Sequence, residues 1–329
     1  MATNNLQLLY GGATVSASFG FDTKEKIDSF LDIIAGLGIK TIDTAWLYGD
    51  SEELLGLGNA PSRFTIDTKY PGGFVPNTST KDEVIKYGQE SLKRLNTKTV
   101  NIYYQHAPEP GTPLEDTLAG VNELYKQGAF KRFGLSNFSA ADVEETIRIS
   151  KERGWVAPTA YQGNYSAFAR HSETDILPLL RRHGISFYAY SPSAGGFLAK
   201  KAETLRAGTG SGRWDKDNMY GKLYNSLYSK DVLLDGLDAW NGVAAAEGVL
   251  GIELAYRWVT YHSALDPALG DGVILGARNA TQLTEIVTWI KKGPLSEEAA
   301  KKIQAIWEKV APEAPLDNYH SYHALQPKV

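Results

Sequence analysis

Short hydrophobic runs of β type alternate with amphipathic segments along almost the whole chain. Such alternation predicts parallel βα units, because a parallel strand needs a crossover that returns the chain to the same end of the sheet. The predicted strands span residues 7–13, 39–43, 64–68, 99–105, 130–135, 158–162, 185–190 and 272–275. Eight such units predict an α/β protein folded as a (β/α)8 barrel of the TIM type.

Helical periodicity fills the segments between these runs. The predicted helices span residues 24–37, 80–94, 115–127, 139–153, 173–183, 231–247, 279–291 and about 296–309. Thr80 and Glu83 have the spacing of a capping box at one helix start. Gly128, Gly154 and Gly184 each come just before a predicted strand, where a left-handed glycine commonly ends a helix.

Two segments break the alternation. Residues 195–230, between the seventh and eighth strands, are polar and rich in glycine, above all at 208–212. So long a connection in a compact domain is typically a lid or a disordered segment, so a long lid loop with little regular structure is predicted after strand 7. After the C-terminal helix, Pro312 and Pro315 predict a tail that does not continue this helix.

Length and composition restrict the class of function. A chain of 329 residues is normal for one barrel with insertions, so a single domain over residues 1–329 is predicted. Lysine and arginine (34) against aspartate and glutamate (38) give a net charge of -4, which lacks the basic surface that nucleic acids or membranes require. The absence of cysteine excludes disulfides, thiolate catalysis and cysteine-ligated metals.

A small-molecule partner is therefore expected, without nucleic acid or membrane binding, and a homodimer is left open. The polar start of the chain has neither the charged nor the apolar part of a secretion signal. No apolar stretch is long enough to span a bilayer. These observations predict a cytoplasmic protein.

Ionisable and polar residues stand where the predicted strands end. Asp43, Lys69 and His106 follow the second, third and fourth strands. The later strands end on other polar or small residues, which are Ser136, Asn137, Gln162, Tyr190, Ser191 and Gly276. Because the carboxyl ends of barrel strands meet at one mouth, we expect these residues to line a single pocket.

The first of these residues indicate a reaction at a carbonyl group. Lys69 needs a counter-charge once it loses water, and Asp43 on the neighbouring strand can supply it. The ammonium favours the phenolate of Tyr48, so the pKa of Tyr48 is expected to fall from about 10 toward the working pH. Tyr48 then serves as an acid, and His106 can donate a hydrogen bond to the carbonyl oxygen. If Asp43 holds Lys69, the nucleophile has to come from a cofactor, with hydride as the candidate.

The motifs around these positions resemble the aldo-keto reductase family. They are Asp43-Thr44-Ala45-Trp46-Leu47-Tyr48-Gly49, Thr68-Lys69, Tyr104-Gln105-His106, Gly134-Leu135-Ser136-Asn137-Phe138 and Tyr161-Gln162. Residues 154–165, 187–198 and 270–276 look most like the aflatoxin-aldehyde reductase branch of that family. The resemblance runs from about residue 8 to about residue 310.

This resemblance implies a barrel that binds NADPH without a Rossmann domain and reduces an aldehyde or ketone to the alcohol. The catalytic tetrad of the family falls on Asp43, Tyr48, Lys69 and His106. It implies that Tyr48 donates the proton, that Lys69 and Asp43 tune Tyr48, and that His106 orients the carbonyl.

The resemblance also implies three groups of NADPH-binding residues. The nicotinamide would contact Ser136, Asn137, Gln162 and Tyr190, with the Tyr190 ring stacked on the nicotinamide ring. The pyrophosphate and adenosine would lie under a loop containing Ser191, Gly196, Leu198, Lys200 and Arg213. The 2'-phosphate and adenine would contact Gly276, Arg278 and Gln282. One departure is Ile286, which stands where the family commonly has an asparagine that contacts adenine.

Other ionisable residues are interpreted as structural. Asp67 lies within the third strand, and a place in the barrel wall or in a surface salt bridge is expected for it. His320 and His323 have a loose metal-ligand spacing, but with no carboxylate or cysteine partner evident nearby no metal site is predicted.

Two other functions remain open at this point. A Schiff-base lyase or aldolase would use Lys69 as the nucleophile, which requires a lysine with a lowered pKa and no carboxylate partner. A regulatory subunit would bind the nicotinamide cofactor and act mainly on a partner protein, as some members of the family do.

Overall fold

Eight parallel strands close into a barrel in chain order, and the last strand pairs with the first. The computed structural model describes residues 6–210, 214, 215, 217 and 219–324. The strands are β1 Gln7–Gly11, β2 Thr41–Asp43, β3 Thr65–Tyr70, β4 Val100–Gln105, β5 Phe130–Ser136, β6 Pro158–Asn164, β7 Ser186–Tyr190 and β8 Gly272–Leu275. The predicted (β/α)8 barrel is confirmed, and each observed strand overlaps a predicted one.

The alternation of side chains along the strands produces two cores. A small apolar cluster fills the barrel interior and consists of Leu9, Ile102, Tyr104, Ala160, Tyr188 and Ile274. A larger core between the strands and the outer helices includes Ile42, Ile66 and Phe133. Since successive side chains on a strand point to opposite faces, Lys69 shares the interior face of β3 with Asp67.

Helices surround the barrel. They are α1 Lys24–Gly36, α2 Ser51–Leu57, α3 Lys81–Arg94, α4 Leu114–Lys126, α5 Ala140–Arg153, α6 Ser172–Asp175, α7 Leu177–Arg182, α8 Ala202–Arg206, α9 Met219–Tyr228, α10 Asp231–Glu247, α11 Gly251–Tyr261, α12 Ala280–Lys291, α13 Glu297–Val310 and α14 Asn318–Ala324. Thr80 caps α3 through the Glu83 N–H, and Gly154 ends α5 with a φ of 65°. None of the helices in the described ranges combines the length and apolarity needed to cross a bilayer.

The segment between β7 and α10 has more regular structure than predicted. Both α8 and α9 lie within residues 195–230, so the expectation of little regular structure there was wrong. Aromatic packing explains the difference: the Phe197 ring lies 5.8 Å from the Trp214 ring and 5.0 Å from the Tyr228 ring. These contacts bury apolar area that offsets the flexibility of the neighbouring glycines.

The tail after α13 returns to the mouth of the barrel. A 3-10 turn at Ala311–Glu313 ends the run of α13, as the prolines predicted, and α14 follows. The Tyr319 ring of α14 packs edge-on against Phe74, with ring centroids 5.4 Å apart. The Nε2 atom of His323 lies 3.0 Å from the carbonyl oxygen of Gly73. The tail therefore forms one wall of the mouth.

Candidate active site

A buried ion pair lies at the centre of the barrel mouth. The Lys69 Nζ donates to Asp43 Oδ2 at 2.6 Å and to the Thr44 carbonyl oxygen at 2.8 Å. The two charged side chains are 0% and 3% exposed. Burial alone would lower the pKa of Lys69, but Asp43 and Tyr48 more than offset this and the net pKa is raised. Lys69 is therefore an ammonium at neutral pH.

Tyr48 lies beside this ammonium. The Lys69 Nζ is 5.1 Å from the centre of the Tyr48 ring. Burial raises the pKa of Tyr48, and Lys69 opposes this rise only in part. The expected fall of the Tyr48 pKa below its ordinary value was therefore wrong, because the cost of burying a phenolate exceeds the attraction of one ammonium. Tyr48 keeps its proton at neutral pH, as a proton donor must.

His106 faces Tyr48 across the mouth, with ring centroids 5.8 Å apart. Phe74 packs on the imidazole at a centroid distance of 5.0 Å. Burial, with a smaller contribution from Lys69, holds the pKa of His106 well below its ordinary value. The imidazole is therefore neutral, and its single N–H can serve as a hydrogen-bond donor.

The residues expected at the nicotinamide lie together on the adjacent strand ends. Gln162 Nε2 donates to Asp43 Oδ1 at 2.9 Å, which links Gln162 to the ion pair. Asn137 Nδ2 donates to the His106 carbonyl oxygen at 2.9 Å and to Ser136 Oγ at 3.2 Å. The Tyr190 hydroxyl donates to Asn137 Oδ1 at 2.7 Å. Gln162 thus belongs to the hydrogen bonds of the ion pair, whereas Tyr190, Asn137 and Ser136 form a second group with the His106 backbone.

The loop after β7 has an unusual backbone. Left-handed φ angles occur at Ser191 (54°), Gly195 (64°) and Gly196 (90°). A Cβ on Gly195 would lie 1.9 Å from the Tyr224 ring, so this position requires glycine. The Leu198 side chain is buried in the core, Lys200 is half-buried, and Arg213 lies outside the described residues.

The segment after β8 leads into the N-terminus of α12. The Asn279 side chain caps this helix by accepting from the Gln282 N–H at 3.0 Å. The Arg278 N–H in turn donates to Gln282 Oε1 at 3.0 Å. Gly276 and Arg278 are exposed, whereas Ile286 is only 4% exposed and belongs to the core. Arg278 and the helix N-terminus are thus available to an anion.

Asp67 lies in the barrel wall with a buried side chain, so the first of the two places expected for it is confirmed and the surface salt bridge is wrong. Its side chain is buried, and Oδ1 accepts from Asn101 Nδ2 at 2.7 Å and from the Ile102 N–H at 3.0 Å. Burial raises the pKa of Asp67 to about 7, and the Asn101 hydrogen bond partly opposes this rise. The signal in the sequence was its position two residues before Lys69, which puts both side chains on one face of β3.

Asp67→Asn is expected to stabilise the protein above neutral pH. The folded-state pKa of Asp67 is about 7 and the unfolded value is about 3.9. Folding therefore retains a proton that the unfolded chain releases, and stability falls as the pH rises through this window. Asparagine keeps an Oδ1 acceptor for Asn101 and Ile102 but cannot ionise. Thermal unfolding at pH 4.5 and at pH 8 should show a higher melting temperature for the variant mainly at pH 8.

The exposed Asp32→Asn, whose side chain is 73% exposed, provides the control for that comparison. It should change the melting temperature little at either pH, because water already solvates its charge. An equal effect of Asp67→Asn at both pH values would show that Asp67 does not titrate in this window.

Sequence reasoning missed the carboxylate beside the tail histidines. His320 Nδ1 lies 2.7 Å from Asp317 Oδ2, and Asp317 Oδ1 accepts from the His320 N–H at 2.8 Å. Asp317 thereby caps the first turn of α14. The signal was present in the sequence, because an aspartate just before a short polar segment is a common helix start.

The chain matches one protein family and is similar to several known proteins. Residues 7–308 match the aldo/keto reductase family. The oxidoreductase sirO of Leptosphaeria maculans is 40% identical over 299 residues, which cover 90% of each chain. The human aldo-keto reductase family 7 member A3 is 35% identical, and the human aflatoxin B1 aldehyde reductase member 4 is 34% identical. Each of these two alignments covers 84% of this chain and 87% of the relative.

Proposed function

Because the chain belongs to the aldo/keto reductase family and is an oxidoreductase, we propose that it reduces an aldehyde or ketone to the alcohol with NADPH. The observation that carries this proposal is the buried Lys69–Asp43 pair of 2.6 Å beside the Tyr48 ring. The pair keeps the Lys69 side chain as an ammonium next to a phenol that keeps its proton. His106, whose ring centroid lies 5.8 Å from that of Tyr48, supplies a neutral hydrogen-bond donor on the other side of the mouth.

The polar groups of the mouth are suited to NADPH. Ser136, Asn137 and Gln162 offer hydroxyl and amide groups to the carboxamide of the nicotinamide, and the Tyr190 ring, whose hydroxyl donates to Asn137, would stack on the nicotinamide ring. The N-terminus of α12 with the exposed Arg278 is suited to the 2'-phosphate, since helix N–H groups and a guanidinium both favour phosphate oxygens. When bound, NADPH would supply the hydride.

The protein's own residues would complete the reaction at the carbonyl oxygen. His106 donates its N–H to this oxygen and orients the carbonyl group. Tyr48 transfers its phenolic proton to the same oxygen, which yields the alcohol and leaves a phenolate. The Lys69 ammonium stabilises that phenolate, and without it the pKa of Tyr48 would be raised further by burial.

The aldolase alternative conflicts with the state of Lys69. A Schiff-base nucleophile has to be a free amine, but Lys69 is fully buried and paired, and its pKa is raised. Borohydride trapping with a carbonyl compound separates the two functions, since the reductase forms no covalent adduct. A regulatory subunit is separated by turnover, since it would bind NADPH without consuming it with any substrate.

The test of this proposal is a substrate screen. Purified protein is given NADPH and a panel of aldehydes, ketones and dicarbonyls, and the loss of reduced cofactor is followed by absorbance. The alcohol product is identified for each active compound. Stoichiometric alcohol formation supports the proposal, whereas NADPH binding with no turnover on the whole panel contradicts it.

Arg278→Ala is expected to weaken NADPH binding by about tenfold or more and to leave NADH binding nearly unchanged. The 2'-phosphate can form charge-assisted hydrogen bonds with the guanidinium that a ribose hydroxyl cannot form. Dissociation constants of both cofactors for both proteins measure the effect. Arg182→Ala removes another exposed arginine, 65% exposed, and serves as the control. Equal affinities of the unmodified protein for the two cofactors would contradict the assigned preference for NADPH.

A further inference from the structure

The first backbone N–H of α14 has its hydrogen-bond partner inside the candidate active site. The first N–H groups of any helix lack partners within the helix and have to find them elsewhere. Asp317 caps α14, because its Oδ1 accepts a hydrogen bond from the His320 N–H at 2.8 Å. The N–H of Asn318, the first residue of the helix, donates instead to the Tyr190 hydroxyl at 3.2 Å.

This contact is the start of a continuous hydrogen-bonded path. The Tyr190 hydroxyl accepts from Asn318 and donates to Asn137 Oδ1 at 2.7 Å. Asn137 Nδ2 then donates to the His106 carbonyl oxygen at 2.9 Å. Asn137 has a φ of 61°, a left-handed conformation that asparagine tolerates better than most residues. The path joins the C-terminal helix to β7, to the end of β5 and to the end of β4.

We propose that the Asn318 N–H is a positioning group for Tyr190, through which the C-terminal helix is coupled to the nicotinamide end of the cofactor site. This inference rests on the proposed function, in which Tyr190 stacks on the nicotinamide ring. Two hydrogen bonds on one hydroxyl fix the direction of its O–H and hold the ring in place. With α14 undocked, the Tyr190 hydroxyl keeps the bond to Asn137 and loses the bond from Asn318.

The coupling has to be reciprocal. A docked α14 lowers the cost of ordering Tyr190 for the cofactor, and a bound cofactor lowers the cost of docking α14 by the same factor. A second contact, between Tyr319 and the Phe74 ring that covers His106, also docks the helix. This second contact is apolar and does not involve Tyr190, so the two contributions can be separated by substitution.

Asn318→Pro removes the N–H donor and points the proline Cδ at the Tyr190 hydroxyl, which has to move away, while the helix itself is little disturbed. Proline is favoured at the first helical position, where its fixed φ fits and no N–H is needed inside the helix. Asn318→Ala removes the same side chain but keeps the N–H, and it is the matched control. We expect Asn318→Pro to weaken NADPH and NADH alike by roughly threefold to tenfold, and Asn318→Ala to bind both cofactors like the unmodified protein.

Equal loss for the two cofactors separates this effect from that of Arg278→Ala, which acts on the 2'-phosphate alone. Identical dissociation constants for Asn318→Pro and Asn318→Ala would overturn the inference. A failure of the proposed function has a different signature, since the unmodified protein would then show no NADPH binding or no turnover of any carbonyl compound.

Two further measurements distinguish positioning from simple packing. Hydrogen exchange of the peptide amides in residues 317–324 should slow when NADPH is added to the unmodified protein and to Asn318→Ala, but less in Asn318→Pro. Tyr190→Phe keeps the ring and removes the hydroxyl at the centre of the path. The losses in cofactor affinity from Tyr190→Phe and Asn318→Pro should therefore not add in the double variant. Fully additive losses in cofactor affinity would overturn the coupling. So would hydrogen exchange in residues 317–324 that does not change when NADPH is added.

Discussion

Tyr48→Phe is expected to lower turnover by about a hundred- to ten-thousand-fold, the usual contribution of a general acid. Phenylalanine keeps the ring beside the Lys69 ammonium, 5.1 Å from its centre, and deletes only the hydroxyl. The affinity for NADPH should stay the same, because the lost group acts on the carbonyl oxygen. Turnover at saturating NADPH and a separate dissociation constant for the cofactor test both parts.

Tyr104→Phe is the matched control for this substitution. The Tyr104 ring is also close to the Lys69 Nζ, at 5.8 Å, but its buried hydroxyl has no hydrogen-bond partner among the described residues. Removing that hydroxyl should leave turnover nearly unchanged. Near-normal reduction of a good aldehyde by Tyr48→Phe would mean that Tyr48 is not the acid, and His106 would become the leading candidate.

The strands were predictable because each combines a short hydrophobic run with a defined end. The helices that sequence reasoning missed lack a comparable signal. In α11, Gly251–Tyr261, every residue from Glu253 to Thr260 is buried, and the polar residues that recur at helical spacing, Glu253, Arg257 and Thr260, are few among apolar neighbours. The aromatic and β-branched residues of α11 also favour strands when taken alone. In α9, tertiary packing of Tyr228 on Phe197 stabilises a segment whose composition indicates a loop.

The contact between Asp43 and Lys69 was predictable because two adjacent strands end in opposite charges at the same mouth. The direction in which the Tyr48 pKa shifts could not be predicted from the sequence, since it depends on how much water the folded mouth excludes. The contact of Asn318 with Tyr190 could not be predicted from the sequence for a different reason. It is made by a backbone N–H across 128 positions of the chain, and no side-chain pattern marks it.

Lys69→Met is expected to cut turnover by about a hundredfold or more and to destabilise the fold by about 3–5 kcal/mol. Turnover falls because the phenolate formed at Tyr48 loses the ammonium that stabilises it. Stability falls because the buried Asp43 carboxylate keeps the Gln162 amide but loses its counter-charge. Lys86→Met, at a side chain 56% exposed, is the control and should change neither quantity.

The two consequences of losing Lys69 can be separated by a second substitution. Adding Asp43→Asn to Lys69→Met removes the unpaired charge and keeps an Oδ1 acceptor for Gln162, so much of the lost stability should return while turnover stays low. In Tyr48→Phe combined with Lys69→Met, the losses of turnover should not add, because both variants remove the same proton donation. Additive losses of turnover would show that Lys69 acts on the reaction independently of Tyr48. Chemical denaturation of each variant measures how much of the lost stability returns.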